Sequence, residues 1–220
     1  MLSGFTNPQC KLVDLKTRAL TEQDLQKITK IRTFVMSHPF GALLTNGRQV
    51  PQVTHLPMQL LTDDVGNDLI NLHLSKASPH AKGLEDRENA VAVFLGTNGY
   101  ISPRWYAAKD NVPTWNYTAV HAIGTLRKIE NEEELMKLLD KLTIEHEEGA
   151  KSPWRADWSN SKIRKMVNAI IGFELKVERW EGKEKVGQNR SAEDQTSLKR
   201  NLENSGDPAY QFLAKQMKTS

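Results

Sequence analysis

The chain has 220 residues, 38% hydrophobic and 26% charged, with 30 Lys and Arg set against 27 Asp and Glu. That is enough chain for a core without staples, and the composition excludes the disordered and collagen-like classes. The net charge of +3 is interspersed and has no basic block, so the clustered Lys/Arg footprint of a nucleic-acid binder is missing. One cysteine, Cys10, excludes an internal disulfide and a Cys-based zinc site. The opening MLSGFTNPQC lacks the charged and apolar regions of a secretory signal. No stretch approaches the roughly 18 apolar residues of a membrane span. These features predict a protein of a reducing, cytoplasmic setting, with 1–220 forming one domain.

Residues 21–37 read as a helix. Thr21 with Asp24 makes a capping signal, and Leu25, Ile28, Arg32 and Val35 share a face with Ile31 nearby. His38-Pro39 ends it, because the residue before a proline avoids the α region. The period then changes to two. Residues 41–45 and 52–61 flank Asn46-Gly47, the preferred pair for a tight hairpin turn. A polar turn at 62–68 leads to a strand at 69–75. Residues 89–96 have no polar side after Asn89, which predicts a central strand covered on both faces. Residues 117–129 form a long strand. In 169–180, Ile171, Phe173, Leu175 and Val177 alternate with charged residues, the half-buried antiparallel pattern.

Three further helices are expected. Asn131 caps 132–146, with Glu132–Glu134 favouring the N-terminal dipole. A short one covers 159–168, and another covers 191–203 with Ser191 and Asp194 as capping partners. About six strands with hairpin-length connections predict a mainly β fold, a closed antiparallel barrel with helices outside. No βαβ rhythm supports a Rossmann sheet.

Four constellations could carry chemistry. In LHLSKASPHAKGL (72–84), Ser78-Pro79 reads as a cap and first helical position, with Ser75, Lys76, His80 and Lys82 around it. Free amides beside a cation can hold an anion, and a plain capped surface helix has the same pattern. The stretch 100–117 holds Tyr100, Trp105, Tyr106, Trp115 and Tyr117. Such a loop either folds over its own core or presents a surface to a planar ligand or a partner. In KVGQNRS (185–191), Gly187 permits unusual backbone angles ahead of the donors Gln188, Asn189 and Arg190, although a polar connector reads the same way. The histidines His55, His73 and His121 lie within strands without metal-ligand spacing, so buried, hydrogen-bonded roles are the default.

HPFGALLT, THLPMQL, LHLSKASPH, the long block VAVFLGTNGYISPRWYAAKDNVPTWNYTAVHAIG and IIGFELKVERWEGKEKVGQNRS resemble, in that order, the PaiB family over about 20–203. The resemblance implies an FMN-binding split barrel, six or so antiparallel strands in Greek-key order with peripheral helices. It is similar to pyridoxamine 5′-phosphate oxidase and the flavin reductases. It implies a homodimer with FMN at the subunit interface, and it carries the family's description as negative transcriptional regulators. On this likeness Lys76, Ser78 and His80 occupy the phosphate segment. Val53, Thr54, His55 and Leu56 lie along the flavin, and His73 and Leu74 lie beside its ring. Trp115 and Asn116 become candidates for ring or ribityl contacts across the interface. Gln188, Asn189 and Arg190 would reach the flavin from the partner subunit.

Some positions depart from the family. Ser75 and Ser78 fill small positions and keep hydrogen-bonding capacity, whereas Gly187 removes a family serine hydroxyl. The oxidase's late substrate-binding Arg and His are not reproduced, which argues against pyridoxamine phosphate oxidation. Three functions follow: a PaiB-type regulator, an FMN-dependent oxidoreductase or flavin reductase on a small substrate, or a partner-binding dimer without flavin. Direct DNA binding has little support, since no basic recognition helix is visible. No residue demands a catalytic role.

Overall fold

The computed structural model describes residues 10–15 and 21–217. Described residues fall into two compact units. The larger draws on 13–94 and 121–180, and the smaller on 10–12, 95–120 and 181–217.

In the larger unit, α1 (Glu22–Ser37) starts at the expected capping box. Thr21 Oγ1 accepts from Asp24 N at 3.2 Å, and Asp24 Oδ2 accepts from Thr21 N at 3.2 Å. Its buried stripe is Asp24, Ile28, Ile31 and Val35; Leu25 falls off it and is exposed. Two residues after the helix, β2 (Phe40–Thr45) begins and pairs antiparallel with β3 (Gln52–Pro57). Thr45 sits opposite Gln52, so the hairpin loop spans 46–51 rather than a two-residue turn at Asn46-Gly47. Gly47 is absent from the positive-φ glycines that a tight turn needs, and Pro51 delays the return strand.

The remaining strands are β4 (Gln59–Thr62), β5 (Asp68–Ser75), β6 (Asn89–Ile101), β7 (Thr114–Ile129) and β8 (Ile170–Lys185). Their order is β3-β2-β6-β7-β8-β5-β4, with β1 (Cys10–Asp14) beside β8. Among the described residues eight strands therefore stand where about six are expected, and β2 with β3, β2 with β6, β4 with β5 and β5 with β8 pair antiparallel. The two ends of that order, β3 and β4, are separated only by Met58, so the sheet closes on itself. Met58 is buried and its N–H donates to Pro39 O at 2.8 Å, fixing the corner.

Leu43, Ile70, Leu72, Ala92, Phe94 and Leu175 fill the interior and are wholly buried. Each large side chain among them contributes about 1.5–3 kcal/mol of apolar burial. In β8 the expected alternation holds for Phe173, Leu175 and Val177, then slips by one so that Trp180 is also buried. Close approach is sharpest at Gly124 of β7, where a Cβ would collide with Lys176 O of β8. Gly124→Ala is therefore expected to cost about 3 kcal/mol of stability, read as a lower urea midpoint; an unchanged midpoint contradicts this packing.

Helices α3 (Glu132–Glu147) and α4 (Ser161–Val167) lie where the sequence places them. Leu135 and Leu138 of α3 pack with Ile129 and Val167 in a second small core. Gln59 Nε2 donates to Glu145 Oε2 at 2.6 Å and to Lys141 O at 3.1 Å, tying β4 to α3.

The smaller unit has its own core. Tyr106 packs there with Ile101, Val186, Leu198, Leu202 and Leu213, the leucines coming from α5 (Ala192–Glu203) and α6 (Pro208–Gln216). Helix α6 and strand β1 are additions to the sequence reading; strands β6, β7 and β8 also run further than expected.

Candidate functional site

The outer face of β3, β2 and β6 is mainly apolar. Register places His55, Ala42 and Val93 in one row, and Val53, Leu44 and Val91 in the next. Leu44, Val91 and Ile123 of β7 line a shallow hollow of about 260 Å³. Val53 is 52% and Phe40 is 64% exposed. The central-strand expectation for 89–96 therefore needs correction. Ala90, Ala92 and Phe94 are buried, but Val91 and Val93 are only half-covered and Leu95 is exposed. A contiguous apolar face of this kind marks a surface that something else covers. Thr54 and Leu56 of β3 alternate with Val53 and His55 and turn inward, as does the buried Leu74 of β5.

The segment after β5 is built differently from its sequence reading. Ser78 does cap α2 (Pro79–Gly83), its Oγ accepting from Ala81 N at 3.3 Å. The neighbouring amides are also occupied. Lys76 N donates to Ala169 O, Ser78 N to Ser75 O and Ala77 N to Ser75 Oγ, at 2.9–3.2 Å. Lys76 Nζ donates to Asn168 O at 2.9 Å, which leaves an ammonium with two further protons for an anion.

His80 is 4% exposed. Its Nε2 lies 3.0 Å from Thr45 Oγ1 and its Nδ1 2.7 Å from Thr54 Oγ1, so the ring ties α2 to both β2 and β3. Burial pushes its pKa down, and the weaker pull of Glu88 opposes this. It is thus a neutral strut rather than a cation. Thr45, its partner, carries no sequence signal of that role. His73 is partly buried, its Nδ1 has no partner among the described residues, and burial lowers its pKa too.

Both groups are depressed below the ordinary histidine value of about 6.5. An unfolded chain therefore binds more protons as acid is added. Their stabilising contribution is complete above pH ~6.5 and is lost as pH falls through the lowered folded values. The urea midpoint should drop between pH 7.5 and 5.5, and His80→Gln should shrink that drop. An equal drop in the variant contradicts the assignment.

In the smaller unit the aromatic stretch divides. Tyr106 is buried, whereas Trp115 is 54% and Tyr100 41% exposed, meeting edge to face at 6.2 Å. Tyr117 lies under Lys183 Nζ at 5.6 Å. Asn116 is 1% exposed, and its Nδ2 has no acceptor among the described residues. Gly187 faces it with φ +79.

Gln188 folds back on its own turn, accepting from Val186 N at 2.9 Å and donating to Glu184 O at 2.6 Å. Asn189 is exposed. Arg190 donates to Asn111 Oδ1 at 2.6 Å and lies over the Tyr106 ring at 4.9 Å. Asn111, which the sequence reading passed over, also donates to Asp194 Oδ2 at 3.1 Å, while Asp194 Oδ1 accepts from Ala108 N at 3.0 Å. Those donors hold the Asp194 carboxyl below the usual carboxylate range, led by Ala108 N–H.

An apolar face edged by an imidazole suits a flat heterocycle with polar edges. The model of the family described as "Putative FMN-binding domain" matches residues 21–179, and the chain belongs to that family. It is 32% identical over 192 residues to the Protease synthase and sporulation protein PAI 2 of Bacillus subtilis, spanning 86% of this chain and 90% of that protein. Its fold is the split barrel of the flavin-binding proteins. The FAD and heme binding protein from Mycobacterium smegmatis superposes with a TM-score of 0.56 at 18% identity, over 71% of this chain and 70% of that one. The flavocytochrome Anf3 from Azotobacter vinelandii gives 0.55 at 16%, over 76% and 72%.

Proposed function

We propose that the protein works as a cytoplasmic homodimer, each chain acting as one functional domain, and holds FMN against the outer face of β3 and β2. The observation that carries this reading is the incompletely covered apolar face of Val53, Leu44 and Val91 with His55 at its edge, in a chain of an FMN-binding family. The ring would lie on Val53 and His55, and a second copy would cover the rest. Lys76 and the Ser75 and Ser78 hydroxyls would hold the phosphate, and His80 would keep α2 in place from below. Trp115, Asn189 and the remaining Arg190 donors of the second copy would complete the site, whereas Asn116, 1% exposed, is closed off within its own subunit.

Bound FMN supplies one- and two-electron chemistry. The protein's part is to bind it, orient it and exclude water. This supports a flavin-dependent redox role on a small substrate. A regulatory role would then act through partners or an effector rather than by direct DNA contact, because the cations are not gathered on one helix.

A fluorescence-quenching titration with FMN tests the placement. Val53→Asp puts a charge under the ring and should raise the Kd at least about tenfold, equivalent to roughly 1.4 kcal/mol. Wild-type affinity in that variant would overturn it.

A further inference from the structure

A second binding surface lies in the smaller unit. A groove of about 670 Å³ runs between the 103–109 segment and one stripe of α5. Arg104 and Lys109 line it from one side, and Thr196, Ser197, Arg200 and Asn201 from the other. Three cations thus converge on one depression. Among the described residues none of the three is in an ion pair, whereas Arg127 and Arg164 elsewhere have carboxylate partners. The acid on the lining is Glu193.

The walls are preorganised. Asp194 at the start of α5 accepts from Ala108 N and Asn111 Nδ2, and Asn201 Nδ2 donates to Ser197 O at 2.8 Å. Arg104 Nε is aimed by Ser102 Oγ at 3.2 Å. Tyr106 forms part of the lining and is itself held by the Arg190 guanidinium. An unpaired guanidinium pair with a lysine and a serine is the chemistry that recognises phosphate oxygens. The groove is open, so its occupant is held by charge rather than by enclosure.

We propose that this groove is an anion site for a phosphorylated small molecule, separate from the flavin face. Arg104 and Arg200 supply forked donors, and Lys109 supplies a point charge. Ser197 lies on the same stripe, while Thr196 Oγ1 donates to Ala192 O at 2.8 Å. Glu193 opposes binding and limits its strength.

The test uses FMN-saturated protein, so that the flavin phosphate site is already filled. Inorganic pyrophosphate is titrated by calorimetry at 50 and 300 mM salt. One anion per chain is expected, with affinity falling as salt rises. The double variant Arg104→Gln/Arg200→Gln should weaken binding at least about tenfold with FMN content unchanged, and Glu193→Gln should tighten it. Lys199→Gln, on α5 but off the lining, should leave it unaltered. Absent binding, wild-type affinity in the double variant, or an equal loss in Lys199→Gln each overturns the site.

Discussion

Leu44→Asp is expected to turn the proposed homodimer, twice the 24.9 kDa chain mass, into a monomer. Leu44 stands in the middle of the outer apolar face, flanked by Val53 on β3 and Val91 on β6. Its side chain is only half-covered within the chain, so a carboxylate there is tolerated by the free subunit. In a closed dimer the same carboxylate would be buried without a partner, at a cost of about 3–5 kcal/mol per copy. Two copies meet at a two-fold interface, so the penalty is counted twice. Light scattering after size exclusion reads the mass. FMN content should fall with the dimer, because in the proposed arrangement the second copy completes the site. A variant that remains dimeric would show that the face is covered by something else.

Asp68→Ala should give a loss of stability as large as that of Gly124→Ala. Asp68 is 1% exposed and accepts from Arg32 at 2.8 Å and from Trp180 Nε1 at 2.8 Å. This joins α1, β5 and β8. Removing the carboxylate strands an indole N–H in a fully buried position, and leaves a guanidinium whose Nε already lacks an acceptor among the described residues. Arg32 is a third exposed, which puts the cost near the low end for a broken buried pair, about 3 kcal/mol. For a chain of this length that is a fall of roughly 6–12 °C in Tm. Asp68→Asn keeps one acceptor and should fall about half as far. A Tm within about 2 °C of wild type in Asp68→Ala would contradict the account of this cluster.

The fold was legible where local chemistry and periodicity agree. Thr21 and Asp24 announced α1 because a capping box is a local, reciprocal pair. Phe173, Leu175 and Val177 announced β8 because one face is core. The Asn46-Gly47 turn misled because register is set by the strand pairing, and Thr45 opposite Gln52 leaves a six-residue loop. The short β4 was merged with β3, since nothing local marks the corner at Met58.

The candidate site was legible in residue type more than in role. His80 reads as an exposed ligand beside a helix start, but a tertiary pairing with Thr45 and Thr54 draws it inside. Arg190 reads as a free donor, but Asn111, 79 positions earlier, engages it. Neither partner could be seen without the fold. The strongest surviving signal was the apolar run of 89–96. It asked for cover on two faces, and the chain covers one.

The measurement that tests the account most directly is an absorption spectrum of the purified protein, with mass identification of whatever is released on denaturation. The account predicts a flavin band, release of FMN at about one per chain, and uptake of added FMN by any colourless fraction. A colourless protein that refuses added FMN would contradict it, leaving the apolar face as a docking surface alone.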